Sequence, residues 1–178
     1  SKMVLPSLGG SPAVWNTCML FFQAALLGGY LYSHVASNAL PVRTHTVVHL
    51  VLLVASAISL PIGMARSFGA PPGDAPVAWL VGLLTVSLGA PFFMLSTGAP
   101  LLQRWFSRTG HPDAANPYFL YAASNLGSMA ALLAYPVLLE PTLTLATQSR
   151  AWTAGYGLLI GLIAACAAVA RRGASLPE

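Results

Sequence analysis

Carboxylates are scarce in this chain: four acidic side chains occur in 178 residues, and charged residues of every kind amount to 7%. Soluble domains carry roughly 25% charged residues. So few acids leave no carboxylate pair for general acid–base work, no nucleophile beside a base, and no proton relay, which needs several acidic or histidine groups at depth. No glycine-rich phosphate loop follows a strand. The chain therefore reads as non-enzymatic. Cysteine is also sparse. Cys18 and Cys166 each sit inside an apolar run with no second Cys or His at ligand spacing, so they read as inert thiols and no metal site is expected. The eight Lys and Arg residues give a net charge of +4 but form no basic patch interleaved with aromatics, so no nucleic-acid partner is expected.

What is present is apolar. Hydrophobic residues make up 56% of the chain and mean hydropathy is +0.71, the values of an integral membrane protein. Each crossing needs about 20 mostly apolar residues. Five segments qualify, at about 12–37, 44–65, 76–104, 117–139 and 148–170, which predicts an all-α, polytopic helix bundle with 1–178 as one transmembrane domain. Ser11 suits a helix cap with Pro12 in the first turn. Between the second and third segments, "SFGAPPGDAP" is too rich in Pro and Gly to be helical. Pro91 and Pro100 should kink the third segment, with Ser96 or Thr97 satisfying the freed carbonyls.

The cations then orient the bundle. Lys2, Arg66 and Arg150 fall on one side; Arg43, Arg104, Arg108, Arg171 and Arg172 fall on the other, so the count of three against five makes the second side cytoplasmic. That puts the Ser1 end outside and the C-terminus inside, which requires either an exported N-terminus or, the preferred expectation, a further span before Ser1. Residues 104–116 become a cytoplasmic loop with Arg104 and Arg108 at the headgroups, Trp105 and Tyr118 in the interfacial belt, and Asn116 capping the fourth helix.

Small residues at four-residue spacing let helices approach in lipid, and Gly28, Gly127, Gly157 and Gly161 belong to such pairs. The intramembrane polar residues Asn16, Gln23, Ser124, Asn125 and Ser128 are expected to face the bundle interior, as interhelical hydrogen bonds or as the lining of a path. His45 and His49, four apart, share one helix face, and with His34 they are the candidates for a haem or chlorophyll-type pigment. The alternative is that they are ordinary interface residues with no cofactor.

Three blocks carry a family resemblance: "KMVLPSLGGSPAVWNTCMLFFQAALLGGYLYSH", "PFFMLSTGAPLLQRWF" and "PYFLYAASNLGSMAALLAYPVLLEP". Together they resemble the N-terminal membrane region of the spermidine-synthase-like transmembrane proteins, the fused transporter-like/spermidine synthase family. The resemblance implies a bacterial inner-membrane protein. The soluble synthase-like domain of fused members has no counterpart in these residues, so no catalytic residue carries over. The expectation is a non-catalytic scaffold or accessory subunit lying in the lipid bilayer among other membrane subunits, of a respiratory or photosynthetic type of complex. Alternatives are part of a polyamine-like small-molecule transporter or a pigment-binding subunit.

Overall fold

The computed structural model describes residues 8–63, 69–73, 75–109 and 111–173. Among them are five helices long and apolar enough to cross a membrane: α1 (Pro12–Ala39), α2 (Val42–Ser59), α3 (Pro76–Phe106), α4 (Tyr118–Thr142) and α5, which forms Leu145–Gly173. The protein is an all-α, multi-pass membrane protein, and no strand occurs among the described residues. Lys2 and Arg66, on which the orientation count partly rests, lie outside the described residues.

Local chemistry sets the helix ends. The Ser11 hydroxyl accepts from the Val14 N–H at 3.4 Å, with Pro12 at the first position of α1. The second segment is shorter than its apolar run predicts: it tightens into a 3₁₀ turn at Ala57–Ser59 and stops before Pro61, instead of reaching residue 65. Asn116 does not cap α4 through its side chain. Its backbone N–H closes the 3₁₀ turn Pro112–Ala115 on Asp113 O, and Pro117 occupies the cap position.

The prolines leave their mark on α3. A π-helical turn at Thr85–Gly89 precedes Pro91, and the helix breaks at Thr97, three residues before Pro100. Ser96 and Thr97 donate to Phe93 O and Met94 O, both at 2.7 Å, so their hydroxyls serve the turn before the break. In α4 a second π-helical turn, Tyr135–Leu139, forms around Pro136. Pro removes an N–H and crowds the preceding turn, and a widened turn is one way to accommodate it.

α3 is the hub. Its first half packs Trp79, Leu80, Leu83 and Leu84 around Cys18 of α1. Its second half sends Met94, Leu101 and Trp105 into a cluster with Leu53 of α2 and Tyr156, Ile163 and Ala167 of α5. At the α1–α3 crossing the backbones approach closely: a Cβ on Gly29 would collide with the Ser96 hydroxyl and lie 3.2 Å from Phe93 O, while one on Gly28 would meet the Phe93 ring at 3.2 Å. Ser96 Oγ also reaches Ala25 O at 3.3 Å across this crossing. At the opposite end Ser56 and Tyr156 join α2 to α5 through a 2.6 Å hydroxyl pair, and Ser149 donates to Ile62 O at 2.5 Å.

The small-residue expectation divides here. Gly28 lies at a close crossing, but a Cβ on Gly127, Gly157 or Gly161 would meet no described atom within 4 Å. α4 is the reason for the first of these. None of its residues is buried, and it touches the rest mainly at its start, where Phe119 meets Phe106 edge-on at 5.3 Å.

Candidate functional site

The polar side chains gather at one end of α1, α2 and α3, where α1 ends, α2 begins and Arg104 lies in the last turn of α3. Helical spacing builds this convergence. On α1, Tyr32, Ser33, Ala36 and Ser37 follow one face; on α2, His45, His49, Leu53 and Ser56 do; on α3, Leu101 and Trp105 complete the third wall.

The rings form a closed box. His45 and His49 are 6.3 Å apart, each lies 6.1 Å from Trp105 at a steep angle, and Tyr32 lies 6.3 Å from His45 and 6.0 Å from His49. His45 and His49 keep 1% of their surface accessible and Trp105 keeps 3%, so none of the three reaches lipid or water. Trp105 is therefore not the interfacial anchor its position beside Arg104 suggests. Arg104, one residue earlier on the helix, faces the surface while the indole turns inward onto the histidines. Tyr32 escaped the sequence reading because a tyrosine near a helix end looks like any belt aromatic; the i, i+4 histidine pair was the signal that something opposed it.

Two hydroxyls here are paired on backbone carbonyls. Ser33 donates to Thr97 O at 3.3 Å and Thr46 to Arg43 O at 2.9 Å. By contrast Tyr32 Oη, His45 Nε2, His49 Nδ1, Trp105 Nε1 and Ser37 Oγ are buried with no hydrogen-bond partner, and these five are all such atoms among the described residues. An unpaired buried donor or acceptor costs about 1–3 kcal/mol. Their concentration at one place marks it as the candidate site.

A polar pocket opens beside the box. It has a volume of about 210 Å³ and is lined by Tyr30, Ser33, His34, Ser37, Asn38, Pro100 and Arg104. His34 is thus exposed on the opposite flank of α1 from the buried histidines, and its Nε2 lies 3.4 Å from Asn38 Nδ2. Arg104 donates to Asn38 Oδ1 at 3.2 Å and Arg108 to Ser37 O at 3.0 Å, so both guanidinium groups reach the carbonyl-rich end of α1. Burial, and then the charge of Arg104, lower the Arg108 pKa from its ordinary value. Arginine stays protonated through such shifts. On the other flank of α1 an apolar groove of about 660 Å³ runs past Phe21, Ala25, Tyr32, Leu52 and Phe93, touching Tyr32 but neither buried histidine.

The remaining polar candidates lie elsewhere. Asn16 and Gln23 are exposed on α1, and Ser124, Asn125 and Ser128 are exposed on α4, not turned inward, because α1 has a free flank and α4 packs on nothing along most of its length. Ser128 Oγ donates to its own helix at Ser124 O, 3.0 Å away. Tyr118 is exposed, as an interfacial anchor would be. Among the described residues no three His, Cys, Asp or Glu side chains come together as metal ligands. No protein-family model, curated protein or solved structure matches the chain.

Proposed function

We propose that the protein is a non-catalytic membrane module, a scaffold or accessory subunit that packs through α4 against other membrane-embedded protein. One observation carries this reading: α4 buries nothing within the chain, yet it presents Ser124, Asn125, Gly127 and Ser128 along its exposed length. Polar groups facing hydrocarbon are unfavourable, and a small, polar stripe is what a closely packed helix interface uses. The motif resemblance and the excess of arginines at the Arg43–Arg104–Arg108 end support a bacterial inner membrane with that end cytoplasmic.

Substitution in the stripe tests the proposal. Gly127→Leu should leave the thermal midpoint of the isolated chain unchanged, since no described atom opposes a side chain there. The same substitution should strip co-purifying membrane proteins from the tagged chain extracted gently from its native membrane. Equal recovery of partners by both forms sinks the proposal, as does a native extract holding the chain alone.

The unpartnered ring nitrogens of His45 and His49 favour a second reading, ligation of a haem or chlorophyll-type pigment. Trp105 and Tyr32 close over both imidazoles, so a macrocycle would require Trp105 to swing out. A natively extracted protein with no Soret or bacteriochlorophyll band removes this reading; a band lost in His49→Ala assigns the ligand.

A further inference from the structure

We propose that the polar pocket between the end of α1 and the last turns of α3 binds a phosphate ester, with Arg104 as its cationic wall and Arg108 beside it on the Ser37 carbonyl. The inference stands independently of the scaffold reading.

No acid among the described residues forms an ion pair with either guanidinium group. Among the described residues the acids are Asp113 and Glu140; Asp113 lies 3.7 Å from His111 Nδ1, and Glu140 begins the last turn of α4, at the other end of the bundle. Each guanidinium has five N–H donors and uses one on the end of α1, so most of its donors remain for a ligand. Burial, and then the charge of Arg104, disfavour the charged form of Arg108, and an anion beside the two guanidinium groups would relieve both effects.

The pocket supplies the rest of a phosphate site. Ser37, with 4% of its surface accessible, lines it and carries a hydroxyl with no partner, a donor ready for a non-bridging oxygen. Asn38 and His34 at the rim add polar edges, and a volume of about 210 Å³ suits a headgroup fragment rather than a whole lipid. Arginine forks match the paired oxygens of a phosphate better than any neutral ligand, which selects the chemical class. Two sources share that chemistry: a phospholipid in the cytoplasmic leaflet, whose phosphates lie at the level of the helix ends, and a soluble phosphate.

The test uses the full chain purified in detergent, with phosphatidylglycerol, phosphatidylcholine or inorganic phosphate as the probe. Native mass spectrometry should show phosphatidylglycerol retained above phosphatidylcholine, whose ammonium the arginine pair repels. Arg104→Gln should cut that retention about tenfold, the scale of one lost charge-assisted contact. Arg43→Gln, at the same end but outside the pocket, should not. Arg104→Lys keeps the charge and loses the fork, so partial retention there separates a lost contact from a lost fold. Thermal stabilisation by inorganic phosphate equal to that by phosphatidylglycerol would identify the soluble source. Equal retention of both lipids by wild type and Arg104→Gln, with no stabilisation by phosphate, overturns the proposal.

Discussion

His49 is almost wholly enclosed, and its Nδ1 finds no partner in the isolated chain. A buried imidazole of this kind imposes an energetic penalty that an apolar side chain of similar size would not. His49→Leu should therefore raise the stability of the isolated chain by about 1 kcal/mol, read as a shift in its unfolding midpoint in a detergent titration. A fall of similar size would show that the nitrogen has a partner when the protein is purified, such as a water or a bound guest in the ring box. The same reasoning separates Ser37 from Ser33. Ser33 already donates to Thr97 O, whereas the Ser37 hydroxyl has no partner among the described residues, so the phosphate proposal makes Ser37 the hydroxyl whose removal should matter only when the pocket is filled.

Between elements, the α1–α3 crossing depends on two adjacent glycines that differ in what they face. The neighbour of Gly28 is the edge of the Phe93 ring, which can tilt; those of Gly29 are the Ser96 hydroxyl and the Phe93 backbone carbonyl that accepts from it. Gly29→Ala should accordingly cost about 1–3 kcal/mol by overpacking and Gly28→Ala less than 1 kcal/mol, compared in the same unfolding assay. Comparable losses would mean that the whole crossing relaxes as a unit. Much of this architecture was legible in advance, since hydropathy marks a span without knowing its neighbours. The five apolar runs, the Ser11–Pro12 start and the disturbance of α3 by its prolines all follow from short-range chemistry. Facing is another matter. Trp105 and Arg104 are neighbours in sequence, but which one turns inward depends on the histidines of α2, and no local pattern records that. Nor does α4 carry any mark telling Ser124 whether its neighbour is a helix of this chain or of another, because the small-residue spacing is the same in both cases.

At the scale of the whole molecule, the bundle is lopsided. α1, α2, α3 and α5 share buried clusters, while α4 is held by Phe119 and Leu120 at its start and by Gln148, which donates to Leu143 O at 3.0 Å beyond its end. Gln148 also accepts from Tyr135 Oη at 3.3 Å, and between Leu120 and Ala134 every residue of α4 is exposed. Lipid-facing residues of a bundle are normally apolar throughout, so a free face carrying Asn125 gains most from a second protein surface. The consequence is measurable as access to oxygen, which concentrates in hydrocarbon. A spin label at Ser128→Cys, with Cys18 and Cys166 replaced by alanine, should relax rapidly with oxygen in the isolated chain and lose several-fold of that sensitivity in the native assembly. A label at Val51→Cys, on the exposed flank of α2, should keep its sensitivity in both states. Protection at both positions would mean that the chain is enclosed on several sides, and α4 would lose its special role. Sensitivity retained at Ser128 would leave α4 facing lipid, and its polar stripe would then have to be satisfied within the helix itself, as the Ser128 to Ser124 bond already begins to do.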